Sequence, residues 1–212
     1  MSSLERPPDE ALNFLTHGLG LILSLAGAVF LMRLAMTGGN PYNFLACGVY
    51  CLTLVAMYAA STLSHAFHDL SKRRIFRTLD QASIFLMIAG SFTPFAVGFL
   101  GYGRWWLLLA AMWALAFAGA VFALVRRELS RTDKVTYCIL GGLSMVSLLE
   151  LYRVAPLNMF LLIIAGELFY LIGSIFLAKG KHARHYHALW HLFVLAGSAC
   201  HYAGIAAYVA LR

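Results

Sequence analysis

Seven apolar stretches, each long enough to cross a bilayer as a helix, constrain the fold of this chain more than any other feature. A hydrocarbon core of ~30 Å requires about 20 helical residues. The stretches lie near residues 13–36, 43–66, 79–100, 105–125, 135–153, 158–178 and 187–211. They predict an all-α fold, a seven-transmembrane helix bundle. No internal repeat or linker is evident in the sequence, so we interpret residues 1–212 as one domain.

The composition excludes a soluble domain. Of the 212 residues, 61% are hydrophobic and 12% are charged, and the mean hydropathy is +0.78. A soluble domain of this size has too little interior to bury so much apolar surface. The net charge of +7 would suggest a nucleic-acid partner in a soluble protein. Here the charges lie between apolar stretches, so we expect membrane lipid and no nucleic acid as the partner.

The positions of the lysines and arginines predict the orientation of the chain. Twelve of the sixteen lie in the N-terminal tail and in the second, fourth and sixth breaks between the apolar stretches. Lysine and arginine accumulate on the cytoplasmic side of membrane proteins. With seven spans, this bias predicts a cytoplasmic N-terminus and an extracytoplasmic C-terminus.

Three histidines are predicted to lie at the cytoplasmic ends of the spans. His187 and His191 are four residues apart and share one helix face, and a pair of neutral imidazoles suits a cation such as Zn²⁺. His65 ends the second span, and Ser61 lies one turn before it. Asp80 lies in the first turn of the third predicted span. The predicted orientation brings these five residues to one depth and outlines a metal site.

Each of these residues has a plainer interpretation when it is taken alone. A histidine at the end of a membrane helix can contact headgroups or water. Asp80 can form an exposed ion pair with Arg77, and Ser61 can pack between helices, as serine often does in membranes. The coincidence of depth among three histidines favours the metal site over these separate interpretations.

The first span carries further polar residues at the same predicted depth. Glu10, Asn13 and His17 follow one another at helical spacing in the segment EALNFLTH. Their position makes them candidates for a second shell, in which side chains orient the metal ligands through hydrogen bonds. The sequence does not decide whether they have this role or stabilise the helix bundle.

Two ionisable residues lie deeper in the membrane than the histidine group. His201 follows His191 by ten residues, which places it about 15 Å further along the helix. This separation is too large for one shared ion, so we expect His201 to be a hydrogen-bonded core histidine. Glu167 lies near the middle of the sixth span and needs a partner, for which His201 and Tyr170 are the candidates.

The chain resembles the hemolysin III family of bacterial membrane proteins, within the wider superfamily of progestin and adiponectin receptors and alkaline ceramidases. The resemblance rests on the segments EALNFLTHGLG, STLSH, LDQASIFLMIAGSFTPF and HALWHLFVLAGSACHY. The order of S-x-x-x-H, an early aspartate and H-x-x-x-H is specific in combination, although each element alone is weak. His185 precedes the final pair, and the spacing to His191 selects His187 instead.

The resemblance implies a Zn²⁺ ion held by His65, His187 and His191. In this arrangement Asp80 would hold a water in the fourth position, and Ser61 would be a nearby polar partner. The resemblance also implies a multi-pass protein of the bacterial cytoplasmic (inner) membrane with a role in membrane lipid homeostasis. It leaves open whether the protein is an enzyme.

Three functional hypotheses follow. The first is a zinc-dependent hydrolase of a lipid amide or ester in the inner leaflet, with Asp80 and Ser61 as catalytic groups. The second is a non-enzymatic sensor or regulator of membrane state that uses zinc structurally. The third is a pore-forming cytolysin. We rank it lowest because the intramembrane polar residues cluster at one end of the spans instead of lining a continuous path.

Overall fold

The structure, a computed structural model, describes residues 10–126, 131–179 and 185–212, and the side chains of these ranges except 131–134. Its helices are α1 (Glu10–Gly38), α2 (Pro41–Ala66), α3 (Leu70–Phe99), α4 (Trp105–Arg126), α5 (Arg131–Ser144), α6 (Leu148–Val154), α7 (Leu157–Lys179) and α8 (Tyr186–Tyr208). A single 3₁₀ turn, Met145–Ser147, joins α5 to α6. Counting α5 and α6 as one unit, seven helical units can cross a membrane, which confirms the predicted fold class.

The third helix begins earlier than the apolar pattern predicts, at Leu70 instead of near residue 79. Asp69 caps it, because its side chain accepts a hydrogen bond of 2.9 Å from the backbone N–H of Lys72. The sequence predicts a break between spans for the charged segment after the cap, because hydropathy locates apolar residues and not helix ends. Asp80 is therefore well inside α3 and not in its first turn.

Two features could interrupt the spans. Helix α3 continues through Pro94 to Phe99. The fifth span, in contrast, contains the 3₁₀ turn. Beside it, the hydroxyl of Ser144 donates to the Gly141 carbonyl at 2.6 Å, and that of Ser147 donates to the Ser144 carbonyl at 2.7 Å. Such local bonds compete with the regular helical ladder.

Helices α2 and α3 form the centre of the bundle. Helix α3 packs between α2 and α4, α2 also packs on α1, and α8 packs between α7 and α1. The largest fully buried side chains include Tyr50, Tyr58 and Phe85. Many large apolar side chains of α1, α4 and α7 remain exposed on the outer surface. Helices that are apolar on all sides are typical of membrane spans, so this outer surface fits contact with lipid.

Four helix ends meet at one end of the bundle, and their contacts position the candidate site. Glu10 at the start of α1 contacts His65 near the end of α2 and Arg73 in the first turn of α3. The first turns of α8 bring His187 and His191 to the same place. Residues that are distant in sequence thus converge because alternate helices run in opposite directions.

The α2–α3 contact yields a test of the packing. A methyl group added to Gly90 of α3 would overlap the Thr53 side chain of α2. We expect Gly90→Ala to lower the free energy of unfolding by about 1–3 kcal/mol, because overpacking a tight contact is destabilising. Gly142 of α5 has open space around it, so Gly142→Ala should be neutral or stabilising by up to about 1 kcal/mol. Equal effects of the two substitutions on the thermal midpoint in detergent would contradict this packing.

Candidate metal centre

His65, His187 and His191 form a compact group. One ligand nitrogen from each ring lies within 4.8 Å of the other two, and the ring centroids are 4.5–5.3 Å apart. In a tetrahedral zinc site each Zn–N distance is about 2.0–2.1 Å, so two ligand nitrogens are about 3.4 Å apart. The three rings would therefore need to move slightly closer together to bind one zinc ion. These three residues, which the sequence selected, form a group that could hold a metal ion.

Glu10 orients the His65 ring. Its Oε2 accepts a hydrogen bond of 2.5 Å from Nδ1 of His65, and its Oε1 pairs with the guanidinium of Arg73. Because a carboxylate faces Nδ1, that nitrogen carries the proton and Nε2 is left as the ligand atom. Nε2 of His65 is buried and has no hydrogen-bond partner among the described residues. A carboxylate on the distal nitrogen of a ligating histidine is common in metal sites.

Thr16 orients the His191 ring in a similar way. The Thr16 hydroxyl lies 2.9 Å from the Leu12 carbonyl and 3.0 Å from the Asn13 carbonyl, so it donates its proton to the backbone. Its oxygen lies 3.1 Å from Nδ1 of His191 and accepts a hydrogen bond from it. His191 then offers Nε2, the same nitrogen that His65 offers. Two of the three rings are thus held in the tautomer that suits a metal ion.

His17 and Asn13 lie beside this group. The His17 ring stacks on His191 with centroids 3.5 Å apart, and its other side meets the edge of Tyr58 at 5.2 Å. Neither ring nitrogen of His17, and neither amide atom of Asn13, has a hydrogen-bond partner within the described part of the chain. Buried polar atoms in this state are costly. They indicate that the histidine group adjoins a place for water or a ligand.

Asp80 and Ser61 lie at the edge of the group. Asp80 is close enough to Ser61 and His65 for both to act on its carboxyl group, and Arg77 acts on it as well. Asp80 is not one of the three mutually close ligands. The Ser61 hydroxyl is buried and makes no hydrogen bond of ordinary geometry to the described residues. A carboxyl group beside the ligands suits a contact through water better than direct ligation.

Arg73 and Thr16 belong to the site although neither has a clear sequence signal. Arg73 lies in a charged run that predicts a solvated loop, yet it is only 3% exposed and pairs with Glu10. Its role depends on α3 beginning at Leu70. The contact between Thr16 and His191 joins residues 175 positions apart. It depends on how α1 packs against α8, which no local pattern specifies.

His185 and His201 do not belong to the group. His185 is exposed at the start of α8, with φ at 65°, and the group contains His187, as the spacing predicts. His201 is buried between Phe95 and Tyr170. Neither of its ring nitrogens has a hydrogen-bond partner among the described residues. His201 is thus a core histidine, as expected, whereas the expected hydrogen bond does not reach ordinary geometry among the described residues.

Known proteins match this chain over most of its length. A family model described as haemolysin-III related matches residues 6–202. The chain belongs to the haemolysin-III-related family. It is 36% identical over 203 residues to Hemolysin-3 from Bacillus cereus, covering 95% of this chain and 92% of the relative. It is 33% identical over 193 residues to a Hemolysin-3 homolog from Bacillus subtilis (strain 168), covering 90% of each.

A more distant similarity extends beyond bacteria. The chain is 23% identical over 210 residues to the monocyte to macrophage differentiation factor of Homo sapiens, covering 95% of this chain and 84% of the relative. The haemolysin-III-related match contains Glu10, His65, Asp80, His187 and His191. The resemblance inferred from the sequence segments is therefore confirmed, and the whole candidate site lies within the matched region.

The geometry of the histidine group predicts how single variants change metal content. We expect the purified protein to bind about one divalent metal ion per chain, and His65→Ala, His187→Ala and His191→Ala each to lose it. Glu10→Gln should weaken metal affinity about 10–100-fold, because it perturbs the orientation of His65. His201→Ala is the matched control and should keep the metal. Elemental analysis after gel filtration decides the outcome, and equal losses in His201→Ala and His191→Ala would contradict the assignment.

Proposed function

We propose that this haemolysin-III-related protein is a zinc-dependent hydrolase that cleaves an amide or ester bond of a membrane lipid. The observation that carries the proposal is a group of three histidines with a carboxyl group, Asp80, beside it and not within it. Three protein ligands leave one position of a tetrahedral ion open, the pattern of catalytic zinc sites. An all-imidazole ligand set suits zinc.

The histidines would hold the zinc ion, and Glu10 and Thr16 orient two of them. When bound, zinc would supply a Lewis acid for the substrate carbonyl and would lower the pKa of a water toward ~7. His65 and His191 present Nε2 because Glu10 and Thr16 hold their Nδ1 atoms.

In this proposal Asp80 acts on the attacking water and Ser61 acts on the substrate. Asp80 orients the attacking water and accepts its proton. The Ser61 hydroxyl, which is buried and makes no hydrogen bond of ordinary geometry to the described residues, donates to the substrate carbonyl oxygen as negative charge develops there.

The location of the site supports a lipid substrate. The histidine group lies where α1, α3 and α8 begin and α2 ends, at one end of a bundle whose outer faces are apolar. Lys72 and Arg74 are exposed on the first turns of α3 at this end. Basic side chains at a membrane surface attract lipid phosphates. A substrate that enters sideways from the leaflet would bring its acyl linkage to the depth of Asp80.

A second function, a sensor of membrane state with structural zinc, is supported by the contacts of Glu10. This residue joins α1 to α2 and α3, and Thr16 joins α1 to α8. A metal ion bound by His65 and the two α8 histidines would tie α2 to α8 and complete this set of connections. In that case the metal would stabilise one arrangement of the helices and Asp80 would have no catalytic role.

The pore hypothesis keeps the lowest rank. The Bacillus cereus relative carries the name Hemolysin-3, which is the reason to consider it for this chain. Among the described residues, the buried ionisable side chains lie in and around the histidine group at one end of the bundle, apart from His201 near the middle. Separate clusters favour binding sites over a continuous aqueous path.

The hydrolase proposal predicts a specific loss of turnover in Asp80→Asn. With metal-loaded protein in lipid, we expect fatty acid release from at least one member of a panel of acyl amides and esters, measured by mass spectrometry. Asp80→Asn should lower kcat by about 10²–10⁴-fold with unchanged metal content, because it removes the proton acceptor. The control is Asp69→Asn, which alters an acid on the same helix and keeps a good N-cap. Metal-loaded wild type that releases no fatty acid from the panel would favour the structural role.

We also propose that the protein lies in the bacterial cytoplasmic membrane with its N-terminus inside. The charge bias carries this proposal: Lys72, Arg74 and Lys179 lie at the end of the bundle that holds the histidine group, and Arg104 and Arg153 lie at the other. Alkaline phosphatase fused after Arg212 should therefore be active, and the same reporter fused after Lys179 should be inactive. The reverse pattern would place the histidine group on the outer side.

A further inference from the structure

A second polar site lies near the middle of the bundle, about 15 Å along α8 from His191. Glu167 of α7 and His201 of α8 line a small cavity there. Three serines line it as well, from α3, α5 and the 3₁₀ turn: Ser91, Ser144 and Ser147. The remaining wall is apolar. Nothing in the proposed hydrolase mechanism uses these residues.

Glu167 and His201 both line this cavity, but they do not form a hydrogen bond with each other. Oε1 of Glu167 lies 4.0 Å from Nε2 of His201, which is too long for a hydrogen bond. Within the described part of the chain, the contact with His201 is the ion pair in which Glu167 takes part. His201 is 3% exposed, and neither ring nitrogen has a hydrogen-bond partner there, although one lies near the Ile163 carbonyl. A carboxyl group at mid-membrane depth requires a partner.

The three serines present acceptor atoms to the cavity. Each hydroxyl donates its proton to the carbonyl three residues earlier in the chain, at 3.1 Å for Ser91, 2.6 Å for Ser144 and 2.7 Å for Ser147. The lone pairs of these oxygens therefore remain for another partner. Together with the carboxyl oxygens of Glu167 and a nitrogen of His201, they give an otherwise apolar lining a set of acceptors that suits a cation.

The 3₁₀ turn of the fifth span lies at this cavity. Ser144, Met145 and Ser147 all belong to the lining. Backbone that departs from the α-helix at membrane depth is tolerated where it is buried in protein or lines a cavity. Interrupted membrane helices supply coordinating oxygens at known ion sites. The helix break thus coincides with the acceptor-rich lining.

The size of the cavity limits its occupant. It leaves about 20 Å³ for the centre of a water-sized molecule, which is enough for one water or one small ion. A lipid headgroup is far larger. The ligand set contains one imidazole and several oxygens, so it suits a hard cation better than it suits zinc.

We propose that the cavity between Glu167 and His201 binds a sodium ion as the counter-ion of the Glu167 carboxylate. The ion is held by oxygens of Glu167 and the serines, and His201 closes the cavity from α8. This site joins α7 to the break between α5 and α6. Elsewhere α5 and α6 make few contacts with α7. Sodium therefore stabilises the docking of α7 and α8 on the rest of the bundle, independently of the metal centre.

Thermal unfolding of the metal-loaded protein in lipid nanodiscs tests the proposal. Sodium chloride is exchanged for choline chloride at constant ionic strength. We expect a saturable rise in Tm of about 3–6 °C at sodium tenfold above its Kd, because a ligand stabilises the state that binds it. Glu167→Gln should abolish the rise. The matched control is Glu150→Gln, because Glu150 lies outside the cavity and contacts Tyr102 and Arg153. It should keep the rise.

Several outcomes would overturn the sodium site. Equal Tm values in sodium and choline would show that the cavity holds water against a neutral Glu167. A sodium-dependent rise that persists in Glu167→Gln would place the ion elsewhere. His191→Ala should retain the rise, and its loss there would mean that the effect belongs to the metal centre, so the two sites are distinguished.

A direct measurement covers the case in which Glu167→Gln folds poorly. Binding of radioactive ²²Na⁺ to the wild type should saturate at about one ion per chain, and Ser147→Ala should weaken it about tenfold by removing one oxygen ligand. Ser174→Ala is the control, because Ser174 makes the same kind of bond, 2.7 Å to the Leu171 carbonyl, outside the cavity. Wild type that binds no measurable sodium, or equal affinities of the two serine variants, would contradict the proposal.

Discussion

The candidate metal centre depends on one buried carboxylate. Glu10 stands at the start of α1 and is shared between His65 of α2 and Arg73 of α3. A buried carboxylate is destabilising unless its partners compensate for the lost hydration, and two partners on two helices do so here. The same contacts fix which nitrogen of His65 faces the other histidines. The geometry of the candidate ligands therefore depends on the ion pair between Glu10 and Arg73, neither of which is itself a candidate ligand.

The sequence predicted the number of spans and the three histidines because both depend on simple spacing. The length of the apolar stretches predicts the number of spans. The four-residue spacing of His187 and His191 predicts two of the three histidines. Arg73 was not predicted, since a charged run looks the same whether it is solvated or turned inward. The break after Ser144 was not predicted either, because apolar periodicity persists through a single 3₁₀ turn. Contacts between distant helices, such as Thr16 with His191, are set by packing alone.

The bundle accommodates polar groups at two depths in two different ways. At the end of the bundle, helix termini bring charged residues together, and Glu10 and Arg73 neutralise each other. Near the middle, no terminus is available, and a local break in the fifth span provides two of the serines that line the cavity beside Glu167. In both places irregular backbone accompanies ionisable side chains, as expected where hydrocarbon offers them no solvation.

The contact between Thr16 and His191 also has a consequence for biogenesis. A chain made from its N-terminus completes α1, α2 and α3 long before α8, and domains generally begin to fold in that order. His65 and its carboxylate partner are thus in place first, whereas the other two imidazoles arrive with the final helix. A truncated or misinserted chain would retain one ligand and lose two. Metal occupancy would therefore report that the last helix has been inserted and docked, and a bound ion would mark completed assembly.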